Sequence, residues 1–318
     1  MSSDRLDLAA IQAAHARIKD LIHRTPVMTS ATFDRETGAS LFFKCENFQK
    51  VGAFKARGAT NAVFSLTDAE AKHGVVTHSS GNHAAAVARA ARLRGIPAYI
   101  VMPDNAPQAK QASVRRYGGE ITPCEATMAA RESATELIIR RTGATLIHPY
   151  DDLRVMAGQG TSALELMQDV HELDLILCPV GGGGQLSGIA VAAKSMRPQI
   201  RVIGVEPAGA DDACRSFKAG HIVPMTDPRT IADGLRTSLG QKPFAEIQRY
   251  VDDIVTVSED AILQAMRSIW EVMKIIVEPS GAVPLAALLE RRIEVRGQRI
   301  GLVLSGGNLD LDRLPWQK

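Results

Sequence analysis

One lysine stands where its amine could form a covalent bond to a cofactor. Lys55 follows Gly52, Ala53 and Phe54 and opens a stretch with helical character. The positive end of a helix and an apolar setting both disfavour a charged amine, so its pKa is expected to fall. A neutral lysine amine can form a Schiff base with an aldehyde cofactor. The alternative from this segment alone is an ordinary lysine beside a core phenylalanine.

Four consecutive glycines mark a candidate phosphate site. Gly181, Gly182, Gly183 and Gly184 follow an apolar strand and precede a helix. Glycines bare the backbone N–H groups, and a helix N-terminus adds positive potential. The spacing G-x-G-x-x-G of dinucleotide sites is not met, and the Gly-Lys-Ser/Thr end of a nucleotide P-loop is absent. A single phosphate group fits best, and a plain tight turn is the alternative.

Two further turns follow strands and open onto the same predicted sheet edge. The run from Ser79 to His83 reads Ser-Ser-Gly-Asn-His, and the run from Ser305 to Asn308 reads Ser-Gly-Gly-Asn. N–H groups at the start of a helix can hold a carboxylate. Each turn could instead be a simple helix cap or a strand-to-helix connection.

An acidic loop is a candidate site for a hard cation. Glu206, Ala210 and Asp212 lie within seven residues and offer two carboxylates and a carbonyl oxygen. A solvated acidic loop is the alternative. The eight histidines show no His-x-x-x-His spacing, and the four cysteines form no Cys-x-x-Cys pair, so neither predicts a zinc site.

Composition narrows the class of protein. The chain has 318 residues with 37 basic and 35 acidic side chains, so no basic excess favours nucleic-acid binding. Residues 1–10 lack the apolar core of a secretory signal, and no apolar run is long enough to span a membrane. We therefore expect no membrane partner and a cytoplasmic location.

The order of apolar, glycine-rich and helix-favouring segments predicts an α/β fold. Strands are predicted at 75–77, 98–102, 119–123 and 144–147, with helices at 84–94, 106–117 and 127–141 between them. The pattern resumes with strands at 175–178, 201–204 and 300–304 and a helix at 185–194. Such alternation indicates parallel sheets with crossover helices. Residues 74–147 could form a small sheet of their own.

Taken together, these motifs resemble the fold type II pyridoxal-phosphate enzymes, the tryptophan synthase β-like group. The resemblance runs from about Leu21 to Leu311. Within this group, the chain is most similar to the branch of serine racemases and serine/threonine/3-hydroxyaspartate dehydratases. Its motifs occur in the family's order: Gly-Ala-Phe-Lys55, Ser-Ser80-Gly-Asn82-His83, Gly181 to Gly184, Val-Glu206-Pro, Val-Glu278-Pro and Ser305-Gly-Gly-Asn308. The resemblance implies two domains, a large one from residues 1–73 and 148–318 and a small one from residues 74–147.

The resemblance also implies roles for individual residues. Lys55 would carry pyridoxal 5'-phosphate as a Schiff base and then act as a base, with Ser80 as a second catalytic group. The cofactor would contact Phe54, Asn82, Gly181, Gly182, Gly183, Gly184, Glu278 and Ser305. The substrate would contact Ser79, Ser80, Gly81, Asn82 and His83, with Arg131, His148 and Ser238 further out. Glu206, Ala210 and Asp212 would bind Mg²⁺, or Mn²⁺ or Ca²⁺.

The implied activity is dehydration and deamination of a β-hydroxy amino acid to a 2-oxo acid and ammonia. Candidate substrates are 3-hydroxyaspartate, L-serine and L-threonine, and the alternative is a serine racemase with dehydratase side activity. The hydroxyl of Ser80 allows either. A phosphate- or nucleotide-binding module and a cysteine synthase-like enzyme are other possibilities. A homodimer is expected from the resemblance and from the frequency of twofold assemblies. The stereoisomer and any effect of ATP stay open.

Overall fold

Two sheets organise the chain in the computed structural model, which describes residues 5–79, 81–106 and 108–317. The strands are β1 (Val27–Met28), β2 (Ser40–Lys44), β3 (Val75–His78), β4 (Ala98–Pro103), β5 (Glu120–Cys124), β6 (Thr145–Leu146), β7 (Leu175–Pro179), β8 (Arg201–Pro207), β9 (Asp253–Val257) and β10 (Arg299–Val303). The helices are α1 (Leu8–Ile18), α2 (Ala31–Thr37), α3 (Lys55–Phe64), α4 (Asp68–Ala71), α5 (Asn82–Arg94), α6 (Gln108–Arg116), α7 (Met128–Thr142), α8 (Leu153–Asp169), α9 (Gly184–Met196), α10 (Asp212–Ala219), α11 (Gln241–Tyr250), α12 (Glu259–Ser268) and α13 (Pro279–Leu289).

The larger sheet has six strands in the order β1-β2-β10-β7-β8-β9. All neighbours are parallel except β1 and β2. Its central strand β7 is buried along its whole length, because helices cover both faces. A strand covered on both faces shows a continuous apolar run, as Leu175 to Cys178 does. The predicted strands at 175–178, 201–204 and 300–304 are therefore confirmed, whereas β1, β2 and β9 were not predicted.

The smaller sheet has four parallel strands in the order β5-β4-β3-β6. Its helices end where the sequence indicated, since Gly95 and Gly143 adopt the left-handed conformation that closes α5 and α7. Its hydrophobic core also includes Ala59, Ala62 and other residues up to Ala71. The chain thus has two sheet-containing domains, and the boundaries at residues 74 and 147 stay a prediction.

Helix α3, which begins at Lys55, packs tightly against α8. A Cβ atom on Gly158 would lie 2.6 Å from the Cα of Gly58, so only glycines allow the two backbones this close. Just beyond Lys55, the fully buried Arg57 donates to Glu46 and to Glu165, each at 2.7 Å. These contacts fix the start of α3 against the larger sheet.

No helix in the described ranges is both long and apolar enough to cross a bilayer.

Candidate active site

A pocket lies between the two sheets, at the carboxyl ends of their strands. In open α/β sheets this edge is where ligands bind. The residues lining it come from both sheets: Phe54, Lys55, His78, Ser79, Gly81, Asn82, His83, Lys110, Met128, Arg131, Pro149, Tyr150, Pro179, Gly181, Gly182, Gly183, Gly184, Gln185, Asp233, Gly234, Leu235, Thr237, Glu278, Ser280 and Ser305. Three of the turns singled out in the sequence therefore meet here, beside Lys55.

The amine of Lys55 is prepared for nucleophilic chemistry. Its Nζ atom donates a hydrogen bond of 2.8 Å to the carbonyl oxygen of Pro149 and lies 5.1 Å from the ring centre of Phe54. Burial of the amine lowers its pKa to about 8. No carboxylate forms an ion pair with Lys55 among the residues described, so no negative charge there opposes the effect of burial on the amine.

The glycine loop forms a cradle for an anion at the start of α9. Gly183 has a φ of 85°, which turns the chain into the helix. The N–H groups of Gly181, Gly182 and Gly183 have no hydrogen-bond acceptor within the described part of the chain. A Cβ on Gly182 would lie 2.3 Å from Cγ of Tyr150, so the ring of Tyr150 closes the back of the loop. Free N–H groups at a helix N-terminus suit a phosphate.

Polar side chains from both domains also line the pocket. Asn82 donates to both carboxylate oxygens of Glu278, at 2.9 and 3.2 Å. Burial raises the pKa of Glu278 to about 7, helped by the negative charge of Asp233. Ser305 is buried in the lining, and its carbonyl accepts from the backbone N–H of Phe54 at 2.9 Å. The residues predicted to contact the cofactor are thus assembled in one pocket.

The turn before α5 and the first residues of this helix line the pocket. Ser79, Gly81 and His83 line it, while Ser80 lies outside the described residues. The Nε2 atom of His83 contacts the carbonyl oxygen of Ile147 at 3.2 Å. Burial, and secondarily the charge of Lys55, place the pKa of His83 well below its usual value. His83 is therefore neutral, and the N-terminus of α5 supplies positive potential for a carboxylate.

Of the three residues predicted further out in the substrate site, only Arg131 lines the pocket, and His148 and Ser238 do not. Arg131, on α7, lines the pocket. The ring of His148 lies behind the lining, edge-on to His78 at 5.4 Å and to Tyr150 at 4.7 Å. Its Nδ1 accepts from the N–H of Asp151 at 2.8 Å, and burial lowers its pKa to about 4. Ser238 is not in the lining; its hydroxyl accepts from the N–H of Met225.

The acidic loop forms a buried group of carboxylates outside the pocket. Glu206 lies next to the last residue of β8 and accepts from the N–H groups of Cys214 at 2.6 Å and Ala213 at 3.3 Å. Asp212 accepts from Leu239 with one oxygen, and its Oδ1 is buried without a partner. Burial raises the pKa of Glu206 to about 9 and of Asp212 to about 6. Among the residues described, no group of three or more carboxylate, histidine or cysteine side chains could hold a metal ion, so a divalent cation at this loop stays a prediction.

Among the pocket residues that sequence reasoning missed, four have ionisable side chains: His78, Lys110, Tyr150 and Asp233. Lys110 and Asp233 form an ion pair across the pocket, joining α6 of the smaller domain to the larger domain. His78 could have been found, because it is the last residue of β3 and ligands bind at strand carboxyl ends. The others carry no motif, since only the fold brings them together.

Comparison with known proteins assigns the class. A family model described as pyridoxal-phosphate dependent enzyme matches residues 18–306, and the chain belongs to this family. The fold and cofactor expected from the sequence are thereby confirmed. Since the N–H groups of the glycine loop and the amine of Lys55 are free to engage a phosphate and an aldehyde, the pocket fits this cofactor.

Individual relatives share nearly the whole chain. It is 52% identical over 304 residues to the β-hydroxyaspartate dehydratase of Paracoccus denitrificans, covering 96% of each protein. It is also 52% identical over 313 residues to the serine racemase of Arabidopsis thaliana, covering 97% of this chain and 95% of that protein. The solved maize serine racemase superposes with a TM-score of 0.95 at 48% identity, covering 96% of this chain and 95% of that one.

Proposed function

We propose that this protein is an ammonia-lyase that eliminates water from a β-hydroxy amino acid with two carboxylates, of the 3-hydroxyaspartate type. The observation that supports it is Arg131. Its side chain borders the pocket, its Nε atom is buried without a hydrogen-bond partner, and no carboxylate pairs with it within the described ranges. An unpaired guanidinium in a binding pocket suits a second substrate carboxylate. The named activity of the Paracoccus denitrificans relative agrees with this choice.

The chain's own groups divide the remaining work. Bound pyridoxal phosphate supplies an electron sink that makes the substrate's Cα proton acidic. The turn from Ser79 to His83 holds the α-carboxylate, and Arg131 holds the distal one. The amine of Lys55, whose pKa is lowered by burial to about 8, takes the Cα proton when it is neutral. The β-hydroxyl then leaves as water, and the unsaturated amine that remains is hydrolysed by another water molecule to a 2-oxo acid and ammonia.

Substitution of Arg131 tests the substrate assignment. We expect Arg131→Met to lower kcat/KM for 3-hydroxyaspartate roughly 10- to 100-fold, because a charge-assisted hydrogen bond contributes about 1.5–3 kcal/mol. The same variant should change kcat/KM for L-serine far less. Ammonia release measures both. Arg140→Met is the matched control, since Arg140 lies on the same helix but is exposed and pairs with Glu136. Equal losses for both substrates would show that Arg131 does not read the second carboxylate.

We also propose that Glu206, Asp212 and the carbonyl of Ala210 bind a divalent cation. The support is the unpaired Oδ1 of Asp212 beside a second buried carboxylate. Mg²⁺ at about 100 times its dissociation constant should stabilise the fold by about 2.7 kcal/mol, which thermal unfolding with Mg²⁺ or EDTA measures. Asp212→Asn should remove this difference, and Asp211→Asn, at the half-buried neighbour, should keep it. Identical unfolding with Mg²⁺, Mn²⁺, Ca²⁺ or EDTA would contradict the site.

Racemisation of serine is the second candidate, supported by the similarity to the serine racemases of plants. Incubation with L-serine, followed by separate measurement of D-serine and pyruvate, distinguishes the two activities. Dominant D-serine formation would reverse the order proposed here.

For the assembly, we propose a homodimer, which sedimentation of the holoprotein tests.

A further inference from the structure

We propose that Glu278 and Asn308 together set the orientation of the Asn82 side-chain amide, so that its NH₂ end, and not its oxygen, faces the cofactor ring. Both would then be positioning residues, since they act on the cofactor through Asn82. The inference rests on the pyridoxal-phosphate site of the proposed function, and it concerns residues that hydrogen-bond one another in the structure.

Each end of the Asn82 amide meets a group of opposite polarity. Its Nδ2 donates to the two oxygens of Glu278, at 2.9 and 3.2 Å. Its Oδ1 accepts from Nδ2 of Asn308 at 3.0 Å. An ionised carboxylate can only accept, so a reversed amide would place its oxygen against Glu278 and its nitrogen against the nitrogen of Asn308. Either contact is unfavourable in a buried setting.

The orientation of Asn308 is itself fixed by the main chain. Its Nδ2 also donates to the carbonyl oxygen of Val51 at 2.7 Å, and a carbonyl can only accept. Its backbone N–H donates to Glu278 Oε2 at 3.2 Å. The Val51 carbonyl therefore fixes which end of the Asn308 amide donates, and Asn308 in turn fixes the amide of Asn82. No hydroxyl group, which could rotate to either donate or accept, takes part in these contacts.

Glu278 has little freedom to move away from this arrangement. It is 4% exposed, and a Cβ atom on Gly306 would lie 2.4 Å from its Oε1. The charged partners that influence it most strongly are Asp233 and Lys110, and no lysine or arginine forms an ion pair with it in the described part of the chain. The carboxylate is thus held against Asn82 by packing and by hydrogen bonds to neutral donors.

The two oxygens of the Glu278 carboxylate can share one N–H of Asn82, so the second hydrogen of its NH₂ group is left for a ligand. Asn82 borders the pocket, and Glu278 is the acceptor for Nδ2 within the described ranges. A donor at this position stabilises an ionised ring hydroxyl through a charge-assisted hydrogen bond. The reversed amide would present an oxygen to the same negative charge. The polarity of Asn82 therefore controls both cofactor affinity and the ionisation of the bound ring.

A polarity swap tests this without changing net charge. In the double variant Glu278→Gln with Asn308→Asp, the new amide can donate to Asn82 Oδ1 and the new carboxylate can accept from Asn82 Nδ2. Both side-chain contacts of Asn82 would be satisfied again, but with its amide reversed. Glu278→Gln alone is unsatisfied in either orientation of its amide, because it meets donors from both Asn82 and Asn308. Glu246→Gln, which changes a buried carboxylate outside the pocket, is the control.

The readouts are the dissociation constant of pyridoxal phosphate and the visible spectrum of the bound cofactor, at about pH 8.5 so that the Glu278 carboxylate is ionised. We expect pyridoxal phosphate to bind roughly 10- to 100-fold more weakly to the double variant and to Glu278→Gln, because each loses one charge-assisted hydrogen bond to the cofactor. The long-wavelength band of the ionised ring should decrease in favour of the short-wavelength band. Glu246→Gln should keep both properties.

If the double variant binds pyridoxal phosphate with unchanged affinity and an unchanged spectrum, the inference is overturned. The inference is also overturned if the double variant is less stable than the wild-type protein but its bound cofactor has an unchanged spectrum. If the double variant does not fold, because the carboxylate introduced at position 308 would face the Val51 carbonyl, Glu278→Gln alone decides by the same criteria. A wild-type protein that binds no pyridoxal phosphate would overturn the proposed function as well. Wild-type binding with unaltered variants would overturn only the orientation of Asn82.

Discussion

The lowered pKa of Lys55 predicts how fast the protein without cofactor reacts with pyridoxal phosphate as pH is changed. Only the neutral amine attacks the aldehyde. With a pKa of about 8 in place of its usual 10.5, Lys55 has roughly 300 times more neutral amine at pH 7 than an ordinary lysine. The cause is burial without an ion-pairing carboxylate, so the rate should increase with pH and reach half its maximum near pH 8.

Stopped-flow absorbance of the condensation measures this profile directly. Lys55→Ala gives the background from surface amines and should show no saturating fast phase. Borohydride reduction followed by peptide mapping should place the label on Lys55 in the wild-type protein. A midpoint above pH 10 would show that the pocket does not desolvate the amine, and an unchanged fast phase in Lys55→Ala would show that another residue carries the cofactor.

Two other substitutions have outcomes that follow from packing and charge. Gly182→Ala should weaken pyridoxal-phosphate binding at least about tenfold, measured by equilibrium dialysis, because the new Cβ would lie 2.3 Å from the Tyr150 ring and displace the loop; affinity within twofold of wild type would contradict the tight packing. Arg57→Leu should cost about 3–5 kcal/mol in urea unfolding, since it leaves two glutamates buried with one remaining cation. The exposed pair of Arg215 should contribute less than about 1 kcal/mol by the same assay, and similar losses for both would refute the argument.

The sequence predicted most of the parallel strands because their signals are local. A strand buried on both faces must be apolar, and a glycine such as Gly95 or Gly143 must close a helix where a left-handed residue is needed. The strands β1, β2 and β9 escaped prediction. Val27–Met28 and Asp253–Val257 lack a long apolar run, and Ser40–Lys44 precedes the alternating pattern that begins near residue 74. Their place in the sheet depends on pairing with distant strands.

The same limit applies to the pocket. Lys55 and the glycine loop could be identified as candidates because each lies in a recognisable local motif, whereas Lys110 and Asp233 are 123 residues apart and become neighbours only when the two domains pack together. The family resemblance implied that His148 contacts the substrate. Its ring does not line the pocket and packs edge-on against His78 and Tyr150, so its role stays a prediction.

The location of Lys55 explains why the pocket needs both domains. The residue opens α3, whose first turn is fixed to the larger sheet through Arg57, while Ala59 and Ala62 further along the helix pack in the core of the smaller one. The helix therefore belongs to both packing units, and the amine at its start lies where they meet. Asn82 approaches the same point from the smaller domain and hydrogen-bonds Glu278 of the larger. The hydrogen bonds between Asn82 and Glu278 and the ion pair between Lys110 and Asp233 therefore both join the two domains at the pocket.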